Sequence, residues 1–187
     1  MPKVFKRLNP VVEAEFILVL GILIDIFIKP SALSANSGIS YFGTYLDTLP
    51  AYAIAISTSS YLITRFALFN IHSHKALRNM IVSLLPFILL LIIFPYNVNR
   101  YYSDIHQLFG ILIFVFQLLI SLIILIKFKQ KSWNFLLFSL EFISGLTAAY
   151  YLSPKTGFLI QSQIVYQIAF GIMLIINKTQ LSENLVV

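Results

Sequence analysis

A carboxylate in the middle of an apolar run is the first chemical signal in this chain. Glu141 stands near the centre of the stretch between Lys131 and Pro154, too deep for its short side chain to reach water at either end. There it either carries a proton and donates a hydrogen bond or pairs with a cation. A ligand contact or proton relay competes with a plain inter-helix hydrogen bond. A second signal is Asp104-Ile105-His106-Gln107, which opens another apolar run. His106, Gly110, Gln117 and Ser121 recur near helical spacing and make one polar stripe. Asp104 has the side chain of a helix N-cap. Gln163, Gln167 and Gly171 lie four apart, and amides on an apolar helix must face other helices or water. By depth, His106, Glu141, Gln163 and Gln167, with Asp104 and Gln117 beside them, are expected to line one ligand-binding cavity open to the outer face.

Other polar residues read as structural. Glu13 and Glu15 near the start of one run and Arg65 near the end of the next share a depth, so an ion pair that neutralises both signs is expected. Asp25 and Asp47 fall toward the outer surface and are expected to be solvated. His72 and His74 sit two apart in IHSHK with no acid beside them, too few ligands for zinc. No cysteine is present, which removes thiolate catalysis, Cys-ligated zinc and iron–sulfur clusters. GxSxG, HExxH and Walker-type motifs are absent as well. No cofactor or metal is expected, and enzyme is the less favoured class.

These groups must be held by apolar elements. The 187 residues are 59% hydrophobic and 11% charged, with a mean hydropathy of +0.89, whereas globular domains carry about 25% charge. A hydrocarbon layer about 30 Å thick needs roughly 20 helical residues. Apolar runs near that length occur at 10–28, 49–69, 77–94, 105–126, 133–152 and 158–176. They lack the alternation of barrel strands, and Pro86 predicts a kink in the third. The basic start MPKVFKRLNP resembles a signal peptide, but no small-x-small site follows promptly, so it reads as a retained first helix. The predicted fold is an all-α integral membrane protein, a single six-helix transmembrane bundle over 1–187.

Net charge is +6, yet the basic residues form short clusters between apolar runs, a footprint of topology and no match for nucleic acid. Lys3, Lys6, Arg7, Arg65, Lys75, Arg78, Lys127, Lys129, Lys131 and Lys178 fall on one flank; Lys29, Arg100 and Lys155 fall on the other. Cations concentrate on the cytoplasmic flank of membrane proteins, so both termini are expected in the cytoplasm. Residues 29–48 read as a polar, turn-rich outer loop.

The order of features resembles the DRAM/Frag/Sfk-type superfamily of six-helix membrane proteins, in its bacterial, largely uncharacterised branch. The resemblance is carried by IFIKPSALSANSGISYFG, LPAYAIA, FPYN, DIHQLFGILIFVFQLLISLIIL and GFLIQSQIVYQ, with Ile39-Ser40, Pro95 and His106 at the family's Ile-Ser, proline and histidine positions. Asn97 stands where an acidic residue belongs, and Glu141 has no place in the pattern. The resemblance implies a compact six-helix bundle with a role in lipid organisation, trafficking or stress responses. The resulting expectation is a non-enzymatic protein of a bacterial or archaeal plasma membrane. It binds or organises lipid or another amphipathic ligand in the outward cavity, with membrane lipid and other membrane proteins as partners. The alternatives are a small-molecule transport component, such as a vitamin-binding subunit of the energy-coupling type, and a ligand-free assembly partner.

Overall fold

The computed structural model describes residues 9–34, 38–151 and 158–182. Lys3, Lys6, Arg7 and Lys155 lie outside them. All regular structure among the described residues is helical. The long helices are α1 (Pro10–Ile28), α2 (Leu49–Asn70), α3 (Lys75–Ile93), α4 (Arg100–Lys127), α5 (Lys131–Tyr151) and α6 (Leu159–Ile176), and a short α7 (Lys178–Ser182) follows. Three of them, α3, α4 and α6, are long and apolar enough to cross a membrane.

Local sequence sets where the helices begin. Pro10 and Pro50 occupy first-turn positions of α1 and α2, where the missing N–H costs nothing. The Asn9 side chain accepts from the Val11 N–H at 3.2 Å. Helix α4 starts five residues before the expected 105, because Asn99 rather than Asp104 supplies the cap, its Oδ1 accepting the Tyr102 N–H at 2.9 Å. Pro86 stands inside α3 without ending it.

Each long helix packs on the next, and α6 returns to α1, so the six close into a ring; α4 and α6 also touch across it. Small residues permit the close approaches. Gly21 of α1 lies against Ala55 of α2, Gly145 of α5 against Phe114 and Tyr166, and Gly171 of α6 against the Glu15 side chain. Between α3 and α4 the contact is aromatic, with Phe87 5.9 Å from Phe109 and 5.5 Å from Phe116, centroid to centroid.

The ring has two unlike ends. At one, Arg65, Lys75, Arg78, Lys127, Lys129, Lys131 and Lys178 gather over a core that includes Val11, Phe66, Ile71, Leu77, Phe128 and Leu181. At the other, only Lys29 and Arg100 are found among the described residues, over a smaller core of Ile22, Ala32, Phe42, Tyr52 and Ile160. The loop at this second end is no solvated excursion. Two 3-10 turns, Pro30–Ser34 and Ile39–Thr44, fold onto the bundle and bury Ala32 and Phe42 completely.

The outward surface is apolar. Phe16, Leu20, Leu23 and Phe27 form an exposed stripe along α1, and Phe135, Phe142, Ile143 and Leu146 are exposed on α5. Apolar surface on this scale marks a face that meets something other than water.

Because a Cβ at residue 21 would overlap the Cβ of Ala55, Gly21→Val should destabilise the bundle by about 1–3 kcal/mol. Thermal unfolding in detergent measures this, and an unchanged midpoint would mean that α1 and α2 do not depend on the close approach.

Candidate functional site

The six side chains expected around one cavity are instead divided among separate places. Asp104 is exposed on the second turn of α4, where its carboxylate lies 4.0 Å from Arg100. A pair this solvated contributes little. It neither caps the helix nor faces the bundle. His106 is buried, with Nδ1 2.8 Å from the Phe94 carbonyl and the Tyr96 ring beside it. A carbonyl can only accept, so Nδ1 carries the proton in that bond. Phe94 ends α3, and His106 thereby ties the end of α3 to the start of α4.

Gln163 is engaged elsewhere again. Its Oε1 accepts the Ile39 N–H at 2.7 Å, while the neighbouring Gln161 Nε2 donates to the Leu33 carbonyl at 3.2 Å. The start of α6 therefore pins both 3-10 turns of the folded loop.

The remaining three lie on α4, α5 and α6, where Gln117 and Gln167 meet each other and Glu141 meets their neighbours Ser121 and Tyr166. Gln117 and Gln167 exchange two hydrogen bonds, at 3.0 and 3.1 Å, across the ring. One turn along α4, Ser121 faces Glu141 of α5, and the Tyr166 hydroxyl of α6 stands on the same carboxyl. Glu141 is fully buried, and neither of its oxygens closes a well-formed hydrogen bond. Tyr166 donates to the Phe114 carbonyl at 2.8 Å instead, and its ring stacks on Phe114 at 4.8 Å. The Ser121 hydroxyl, buried beside that carboxyl, likewise closes no well-formed hydrogen bond.

One further carboxyl shares this condition and another shares it in part. Asp25, expected in solvent, is wholly buried with both oxygens unpaired. The reason is the folded loop, which covers the end of α1 that a solvated loop would have left open. Tyr52 lies close to Asp25, and Asp47 remains exposed. On α1 nearer the basic end, Glu15 lies against Gly171 with Oε2 buried and unpaired.

The expected ion pair among Glu13, Glu15 and Arg65 does not form; among the described residues Arg100–Asp104 is the one ion pair. Glu15 is on the face of α1 that packs on α6, while Arg65 is exposed on α2. Glu13 and Arg65 do line one cleft of about 340 Å³, together with Lys178, Asn70, Leu62 and Phe69. A second cleft, of about 300 Å³, opens between the start of α3 and the end of α4, with His74, Lys75 and Lys127 against Leu77 and Ile123. Burial and the nearby Lys127 charge hold the His74 imidazole below its ordinary titration range. Both clefts lie at the basic end, and none of the six residues expected around a cavity lines either.

Asn134 and Asn177 went unnoticed in the sequence. Fully buried, they exchange amide hydrogen bonds at 3.2 and 2.7 Å between the start of α5 and the end of α6. Their place at two predicted helix ends, Asn134 one residue inside and Asn177 one residue beyond, is the signal that would have found them. No three of His, Asp and Glu gather closely enough among the described residues to hold a metal ion. Compared with known proteins, the chain matches no family model, no curated protein and no solved structure.

Gln167→Leu strands the Gln117 amide in an apolar interior and should cost about 1–3 kcal/mol. The double variant Gln117→Leu/Gln167→Leu should cost less than the sum of the singles. Strictly additive losses in a thermal double-mutant cycle would show that the two amides do not depend on each other.

Proposed function

We propose that the chain is a six-helix membrane protein of the DRAM/Frag/Sfk type, with both termini cytoplasmic, that binds or organises lipid without catalysing a reaction. The observation that carries this reading is the pair of clefts at the basic end. Each joins cationic side chains to apolar walls, with Arg65 and Lys178 beside Leu62 and Phe69, and Lys75 and Lys127 beside Leu77 and Ile123. Phosphate headgroups and acyl chains need that combination, and basic pockets between helices on the cytoplasmic side recognise such headgroups. The exposed apolar stripes of α1 and α5 support membrane contact for two helices that also carry acidic residues, Glu13, Glu15 and Asp25 on α1 and Glu141 on α5. The excess of Lys and Arg at one end supports its cytoplasmic placement.

Lipid seats at the cytoplasmic end replace the expected outward cavity, because His106 and Gln163 are held by backbone groups and Gln117 and Gln167 by each other. The chain, purified in mild detergent, should retain phospholipid detectable by native mass spectrometry, and Lys75→Ala/Lys127→Ala should retain less. Cysteines introduced at residues 75 and 129 should be labelled from the cytoplasm, and one at residue 47 from outside. Lipid-free protein, or residues 75 and 129 labelled from opposite sides, would overturn the reading.

A transport component is favoured by a different observation. Glu141 and Asp25 are buried carboxyl groups whose oxygens close no well-formed hydrogen bond, in the middle and toward the loop end of the bundle, and half-buried Glu15, toward the basic end, has one oxygen in that condition. Ionisable groups at such positions commonly mark ion or proton paths. Vesicles containing the chain and a pH-sensitive dye test this: proton flux abolished by Glu141→Gln would support transport, and no flux would exclude a proton path.

A further inference from the structure

The larger cleft differs from its neighbour in one respect that a simple anion site does not explain. It is lined by a carboxylate as well as by two cations. Glu13 projects from the first turn of α1, Arg65 from the last turns of α2, and Lys178 from the start of α7. These three make no ion pair with one another, although they share a cleft of about 340 Å³. Both signs of charge are thus presented to whatever enters. The smaller cleft presents His74, Lys75 and Lys127 with no acid.

The floor and rim of the larger cleft are apolar. Phe66 is completely buried beneath it, and Phe69 at its edge is 69% exposed. An occupant therefore needs a negative group for Arg65 and Lys178, a positive group for Glu13, and a hydrocarbon portion to cover Phe69. Inorganic phosphate satisfies the first need alone, a soluble phosphate–ammonium compound lacks the third, and an anionic lipid lacks the second.

We propose that this cleft is a binding site for a phospholipid with a phosphate–ammonium headgroup, of the ethanolamine type, in the cytoplasmic leaflet. The inference rests on the lipid-binding reading above and specifies its ligand. The guanidinium of Arg65 and the Lys178 ammonium take the phosphate oxygens, for which Arg offers paired donors. The Glu13 carboxylate accepts from the headgroup's N–H groups. A choline headgroup has a positive charge but no N–H to donate, so Glu13 discriminates between the two zwitterions. A glycerol headgroup adds no positive charge and leaves Glu13 unanswered.

The test uses the full-length chain in mild detergent, offered equal amounts of phosphatidylethanolamine, phosphatidylcholine and phosphatidylglycerol, with bound lipid counted by native mass spectrometry. The ethanolamine lipid should be retained about tenfold over the choline lipid, the worth of one charge-assisted hydrogen bond. Glu13→Gln should abolish that preference without stopping lipid retention. Arg65→Gln, whose side chain is exposed and outside the core, should lower ethanolamine and glycerol lipids together, and unchanged retention of both overturns the placement of the phosphate in this cleft. Retention without ethanolamine preference, or a preference that survives Glu13→Gln, overturns the headgroup assignment and leaves lipid binding standing. No retained lipid of any kind overturns both. Displacement of bound lipid by excess soluble glycerophosphoethanolamine would show that the headgroup alone is the ligand and overturn the assignment to a lipid.

Discussion

A side-chain amide enclosed by apolar helices has four hydrogen-bonding needs and no water to meet them. Two pairs here meet half of theirs with each other, and Asn177 Nδ2 donates to the Met173 carbonyl as well. Gln117 and Gln167 face across the ring from α4 to α6, and Asn134 and Asn177 join the start of α5 to the end of α6. Both pairs include α6, which also touches α1 through Gly171 and Glu15. The position and rotation of α6 are thus fixed by directional bonds, whereas α1 against α2 relies on shape, through the fit of Gly21 on Ala55. The placement of Tyr166 beside Glu141 depends on that fixing. So does the hold of Gln161 and Gln163 on the folded loop.

The helical class was legible from long apolar runs bounded by Pro, Asn and charge, since backbone groups in such runs must bond within the segment. The element starts were less so. Asp104 and Asn99 are both competent caps, and only the geometry of the turn at Asn99 decides between them. Glu141 stood out as a deep carboxylate, and its burial in the structure is complete. Its neighbours were a different matter, because depth along a helix says nothing of rotation about it. His106, Gln163 and Gln167 share a depth on paper yet face three different partners.

Asp25 and the clefts show what a one-dimensional reading omits. Nothing in the string KPSALSANSGISYFG states that it folds into 3-10 turns over the end of α1, so a residue next to a polar loop was expected in water. The clefts arise where α1 meets the end of α2, and where α3 meets the end of α4. Glu13 and Arg65 were matched by depth but not by reach, and their failure to pair leaves both charges facing the same cleft.

The bond from Ile39 N–H to Gln163 Oε1 has an evolutionary consequence. Its donor belongs to the main chain, so drift at position 39 can exchange one side chain for another without breaking it, provided the replacement is not proline. Its acceptor belongs to a side chain, so position 163 tolerates little beyond another residue of similar length with a terminal oxygen. Across descendants of this sequence, variation should therefore be lopsided, open at position 39 to any apolar side chain that still packs on the loop-end core and narrow at position 163, although the two positions share a single contact.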